Sequence, residues 1–219
     1  AASDEALKQA GLTDPEDPFR VGCIIASGIG GMLTFEEQHA RFVKRGQRGV
    51  SPMFIPMMIA DMAAGLVSIR HGLQGPNYCT VSACASAGHA IASACDKIRL
   101  GAADAMVAGG SEAAICSMAL SGFGNMKALS TRNDDPATAS RPFDRERDGF
   151  VLGEGAGILV LEEEEHARAR GANILGRVAG YGATGDAYHM TQPATEGHGA
   201  TYSMQQALRV AGIAPEQVG

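Results

Sequence analysis

Two short stretches constrain this chain more than any other feature. Behind Arg20, the run from Val21 to Ala26 is apolar at every position, and so is Ala105-Met-Val-Ala-Gly-Gly110. A strand without polar alternation has both faces buried, as in sheets covered by helices on each side. Helical patterns separate these runs. The chain therefore reads as an α/β layered fold around a buried sheet. At 219 residues it is long enough for one sizeable core, and it shows no linker, tandem repeat or low-complexity segment. One domain is expected over 1–219.

The remaining pattern fills in the layers. A helix from the start of the chain ends at Gly11. Gly28-Ile-Gly-Gly31 closes the first strand. Thr34 with Glu37 predicts a capping box for a helix to about Lys44. After Ser51-Pro52, a Met- and Ala-rich helix is expected from Pro56 to Arg70. An extended run from Asn77 to Val81 then leads into a small-residue helix from Ala85 to Leu100. After the Ala105 strand, a helix is expected over 114–122, an ordered loop over 129–148 and an extended run over 149–161. A charged helix over 162–170, a strand over 174–184 and a helix over 199–210 complete the reading.

Composition excludes several classes. Net charge is −6, which argues against nucleic acid as the main partner. No apolar run approaches the ~18 residues of a membrane span. Five cysteines, Cys23, Cys79, Cys84, Cys95 and Cys116, form no CxxC pair and no cluster with zinc spacing, so neither a disulfide framework nor a metal site is expected. A reducing, cytoplasmic setting fits this usage. The loop at Gly28 lacks the GxGxxG spacing and the acidic residue about 20 positions on that dinucleotide binding needs. The chain starts without Met, in what reads as the middle of a helix, and stops just past a helix end. Both ends read as cut, so targeting is not assessable.

Cys84 is the candidate for chemistry. Val81-Ser-Ala-Cys-Ala-Ser-Ala-Gly88 sets it at the turn between an extended run and a helix. A thiol there faces unpaired N–H groups and the positive end of the helix dipole. Both favour the thiolate, the nucleophilic form. Its neighbours are small enough for a substrate to come close. Position alone leaves a buried structural cysteine equally open. The other four cysteines lie in apolar runs and read as core.

The block around Cys84 resembles the active-site segment of the β-ketoacyl-acyl-carrier-protein synthases. Further stretches match the same family in order: Ser27-Gly-Ile-Gly-Gly31, Ser51-Pro-Met-Phe-Ile-Pro56, Ala108-Gly-Gly-Ser-Glu112, Gly122-Phe-Gly124, Ala128-Leu-Ser-Thr-Arg-Asn133, Ser140-Arg-Pro-Phe-Asp144, Arg147-Asp-Gly-Phe-Val-Leu-Gly-Glu-Gly-Ala-Gly157 and Asp186-Ala-Tyr-His-Met-Thr191. The Ala128 and Asp186 segments resemble the type II, elongating members. The resemblance implies a thiolase-like α-β-α-β-α fold, here lacking the first strand region and most of the C-terminal half, and a homodimer.

It also implies a reaction. Cys84 would take an acyl chain from acyl carrier protein as a thioester and condense it with a malonyl-carrier thioester by decarboxylation. No cofactor is implied beyond the phosphopantetheine that arrives on the carrier protein, and neither nucleic acid nor membrane is an expected partner. By matched position, Phe123 lies near the nucleophile, Thr191 borders the malonyl or pantetheine channel, Ile29 lines the acyl pocket, and Phe54 reaches the same pocket from the dimer partner. Arg48 and Lys127 form part of a basic rim for the acidic carrier. The family's two catalytic histidines belong to His-Gly-Thr and Gly-His segments. None of His39, His71, His89, His166, His189 and His198 stands in either context, and His189 reads as structural. The fragment alone is expected to be inactive in condensation. Two alternatives share the resemblance: a polyketide ketosynthase, and a non-catalytic chain-length-determining subunit, which lacks the cysteine.

Overall fold

The computed structural model describes residues 1–219. They form two compact units, Ala1–Glu163 and Glu164–Gly219. In the first unit the elements run α1 (Ala2–Ala10), β1 (Val21–Ala26), α2 (Met32–Arg45), α3 (Phe54–Met58), α4 (Met62–His71), β2 (Asn77–Tyr78), α5 (Ser86–Arg99), β3 (Ala105–Glu112), α6 (Ser117–Asn125) and β4 (Gly155–Glu162). The second unit holds α7 (Glu164–Ala169) and α8 (His198–Ala211).

The strands form one sheet in the order β2-β1-β3-β4. β1 runs parallel to β2 and β3, whereas β4 is antiparallel to β3. Every residue of β1 is buried, and the alternation of side chains along a strand explains why. Val21, Cys23 and Ile25, with Ala105 and Val107, face Leu7 and Leu12 near α1 and Ala64 of α4. Ile24, Ala26, Met106 and Ala108 face the opposite way, onto Ala90 and Ala94 of α5. Helices therefore cover both faces of the sheet. Burying a side chain such as Ile24 or Met106 stabilises the fold by about 1.5–3 kcal/mol. Asp4 ties α1 to α4 by accepting from Arg70 Nε (2.8 Å) and lying 2.8 Å from His71 Nε2.

Several boundaries differ from the sequence reading, each for a visible reason. α2 starts at Met32, with Gly31 as its N-cap and no side-chain cap, so Thr34 and Glu37 already lie inside the helix and form no box. The helix expected over 56–70 is broken in two. Gly31 N–H donates to the Met58 carbonyl (2.8 Å), and Ile59 turns extended. Pro56 is tolerated in the first turn of α3, where its missing N–H has no helical partner. The N-terminus of α6 is set by two distant carboxylates: Glu154 accepts from Ile115 N–H (2.8 Å) and Glu36 from Met118 N–H (2.9 Å). The expected strand over 174–184 joins no ladder. It runs along α8 instead, with Ala183 N–H donating to Gln206 Oε1 (3.3 Å) and Thr184 Oγ1 donating to the Gly199 carbonyl (2.8 Å).

The 129–148 loop is ordered around one carboxylate. Asp148 accepts from Ser130 Oγ (2.7 Å), Thr131 N–H (2.8 Å) and Arg141 Nη2 (3.0 Å). The Ser130 hydroxyl first, then the Thr131 amide and the Arg141 charge, hold its carboxyl at about 2. A depressed carboxyl contributes stability that is complete above the ordinary carboxylate range and is lost as pH falls towards about 2. Thr131 amide exchange, corrected for its intrinsic pH dependence, is therefore expected to accelerate between about pH 4 and pH 2. Asp148→Asn is expected to give the fast rate already at neutral pH. Unchanged protection in that variant would contradict the assignment.

Candidate active site

β1 and β3 end on the same side of the sheet, and α5 begins there. The approach is close: a Cβ on Gly110 would stand 2.9 Å from Ala87 Cβ. Only small residues at the strand end and in the first turn of the helix permit it. Between β2 and α5 the chain makes a short 3-10 turn, Ala83–Ala85, with Cys84 in its middle. Ala83 sits in the left-handed region at φ 51, a conformation that L-residues other than glycine rarely adopt. The bend turns Cys84 out to solvent.

Cys84 is the one exposed cysteine of the five; Cys23, Cys95 and Cys116 are buried and Cys79 is half-buried. Burial pushes the Cys23 thiol up to about 12 and raises that of Cys95. Both are thereby held in the unreactive form. Cys79, read from sequence as core, lies nearer the surface because β2 stops at Tyr78 and the next residues leave the sheet.

The loop after β1 packs beside this turn. The Glu112 carboxylate, at the end of β3, accepts from Ser27 Oγ (3.1 Å), Gly28 N–H (2.8 Å) and Ile29 N–H (3.1 Å). A Cβ on Gly28 would lie 3.5 Å from the Ala83 carbonyl oxygen. Further along, Gly31 abuts Met57 and Met58 at the end of α3. The loop carrying Ile29 thus connects the cysteine turn to α3. Ile29 itself is 44% exposed. Glu112 also occupies the loop N–H groups that a phosphate would need, and its charge would repel one.

The other sequence-predicted residues are distributed as follows. Phe123, half-buried on α6, packs edge-on against Phe150 with ring centroids 5.2 Å apart. Phe54 opens α3, with its ring 6.2 Å from Phe35. With Phe35, His39, Phe42 and Val50 it lines an apolar groove of about 170 Å³. Arg48, just past α2, and Lys127, just past α6, are exposed. Thr191 belongs to the second unit, where it is exposed and its N–H donates to His189 Nδ1 (3.2 Å). Gln192 N–H donates to the same nitrogen (3.2 Å), so His189 closes a turn. No three His, Cys, Asp or Glu side chains converge to hold a metal ion.

Sequence reasoning assigned no role to Glu112, Ser82, Ser86 or His89. A carboxylate directly after an apolar strand was the available signal for Glu112. The others act through contacts within the cysteine turn that no spacing rule announces.

Comparison with known proteins fits this geometry. The sequence model of the β-ketoacyl synthase N-terminal domain matches residues 1–167, and that of the C-terminal domain matches 175–219. The chain is 51% identical over 220 residues to the 3-oxoacyl-[acyl-carrier-protein] synthase 2 of Vibrio cholerae, covering 100% of this chain and 53% of that protein. It is 54% identical over 218 residues to the Staphylococcus aureus protein of the same name, covering 99% and 54%. The chain therefore spans about half the length of the curated relatives it matches. Among solved structures, a type II polyketide ketosynthase in complex with its acyl-carrier protein superposes with a TM-score of 0.94 at 35% identity, over 99% of this chain and 55% of that one. A β-ketoacyl synthase from Burkholderia phymatum gives 0.90 at 37%, over 100% and 53%.

The burial pattern has a direct test. Under native conditions a maleimide is expected to label Cys84 fastest and Cys79 more slowly, with Cys23, Cys95 and Cys116 labelled only after denaturation. Peptide mass mapping reads the order. Early labelling of Cys23 would contradict the fold.

Proposed function

Since this chain belongs to the β-ketoacyl synthase family, with its thiolase-like fold, we propose that the protein carrying it is an elongating condensing enzyme of fatty acid synthesis with Cys84 as nucleophile. One observation carries the proposal. The single exposed cysteine sits on a strained turn at the strand ends, in a chain at least 51% identical throughout to two 3-oxoacyl-carrier-protein synthases.

The chemistry follows from the position. The Cys84 thiolate attacks the carbonyl carbon of an acyl thioester brought by the carrier's phosphopantetheine. The resulting oxyanion is met by the Cys84 backbone N–H, and the resemblance implies a second donor outside this chain. The tetrahedral intermediate collapses, the bond to the carrier's sulfur breaks, the carrier leaves as a thiolate, and the acyl group remains on Cys84. In the second half-reaction a malonyl thioester loses CO2. Its carbanion attacks the Cys84 thioester, and the sulfur leaves as the β-ketoacyl product departs. Residues outside this chain would supply the histidines that the resemblance implies for that step.

Supporting roles are proposed for five exposed or half-buried groups and one groove residue. Ile29 lines the acyl chain's path, Phe54 reaches it from the dimer partner, Phe123 stands beside it, and Thr191 borders the pantetheine arm. Arg48 and Lys127 meet an acidic carrier protein. A homodimer and a cytoplasmic location belong to the same reading; no helix is long and apolar enough to cross a membrane. The structural neighbour from a type II polyketide system favours that pathway as the second reading. The higher identity of the fatty-acid relatives favours the first. The presence of Cys84 argues against a non-catalytic subunit.

The test is intact-mass analysis after incubating the protein that carries this chain with acyl-carrier substrate. One acyl adduct on Cys84, absent in Cys84→Ala, is expected. An adduct persisting in Cys84→Ala would overturn the nucleophile assignment. For docking, the double reversal Arg48→Glu and Lys127→Glu is expected to raise the KM for carrier substrate by about tenfold at low salt with kcat little changed. A KM and salt dependence equal to wild type would contradict the basic-rim assignment.

A further inference from the structure

The cysteine turn is held in a conformation its own backbone disfavours, and the side chains that hold it are identifiable. Ser86 is only 4% exposed. Its hydroxyl donates to the Ala83 carbonyl (2.6 Å) and accepts from Ser82 N–H (2.8 Å). These two bonds bracket the left-handed residue from both sides. Thr80 Oγ1 donates to the Ser86 carbonyl (3.0 Å), which fastens the approach to the turn onto the start of α5. One turn along the helix, His89 Nδ1 lies 2.6 Å from Ser82 Oγ. That contact can form with either tautomer of the ring, because the hydroxyl can donate to Nδ1 or accept from Nδ1–H.

The left-handed conformation costs a residue such as Ala83 free energy relative to the right-handed one. Without these contacts, Ala83 would relax towards the right-handed region and carry the Cys84 Cα with it. The sulfur would remain exposed but would no longer be aimed. We infer that Ser86, assisted by His89 through Ser82, is the positioning residue of the Cys84 nucleophile, holding Ala83 left-handed and so keeping the sulfur in one orientation. This rests on Cys84 being the nucleophile. Ser86 and His89 touch no reacting atom and act only through the turn.

The distinguishing property is a requirement for aim rather than exposure. In the protein that carries this chain, Ser86→Ala is expected to slow the first-order acylation of Cys84 at saturating acyl-carrier substrate by about tenfold or more. The half-saturating substrate concentration should stay within about twofold. Alkylation of Cys84 by iodoacetamide, which needs no aligned thioester, should stay within about twofold of wild type. Adding Ala83→Gly should recover a large part of the acylation rate, because glycine enters the left-handed region without penalty. His89→Leu spares the buried serine and should slow acylation about threefold with little change in melting temperature. It carries the test if Ser86→Ala does not fold.

Wild-type acylation rates in both Ser86→Ala and His89→Leu would overturn the inference and leave the nucleophile assignment standing. Acylation and alkylation falling together, with no recovery from Ala83→Gly, would overturn it in favour of local unfolding. A wild-type protein that takes no acyl group on Cys84 would remove the nucleophile assignment and this inference with it.

Discussion

Helix α5 lies against β3 with no room to spare. A single Cβ at Gly110 would reach within 2.9 Å of Ala87. The rest of the site depends on that contact. It brings the helix start to the ends of β1 and β3, where the chain must reverse sharply out of β2. The chain reverses there in a tight turn, in which Ala83 takes the left-handed region. An exposed cysteine on the turn that leads into a half-buried small-residue helix is the outcome.

The same crowding explains why glycine, alanine and serine dominate this end of the molecule. Serine at 86 is small enough to be buried and still offers a donor and an acceptor, which is what the bent turn lacks internally. Glu112 serves the neighbouring loop in the same manner, taking its orphan N–H groups onto one carboxylate. The loop and the turn touch at Gly28 and Ala83, so the support of Ile29 and the support of Cys84 are mechanically joined. Catalysis by aimed nucleophiles depends on such rigid surroundings more than on the reactive atom itself.

Much of this was legible from the order of residues. The apolar runs at Val21 and Ala105 announced a sheet covered on both faces, and β1 is buried at every residue. Cys84 stood out by its place before a small-residue helix and by its matched motif. What was not legible depends on partners remote in sequence. The break between α3 and α4 is made by Gly31 reaching the Met58 carbonyl. The start of α6 is set by Glu36 and Glu154. The 174–184 segment has strand composition but no strand beside it, so its polar groups turn to α8. Capping at Thr34 failed because the helix had already begun at Met32. The positive φ of Ala83, on which the site depends, leaves no trace in composition, since alanine is not a residue that signals it.

The most direct measurement is a crystal structure of the protein trapped with an acyl group. Density continuous with Cys84 Sγ is expected, with the thioester oxygen within hydrogen-bonding reach of the Cys84 N–H and with Ala83 still left-handed near φ 51 and Ser86 bonded on both sides of it. An acyl group on any other side chain, or Ala83 relaxed to negative φ beside an acylated Cys84, would contradict that expectation.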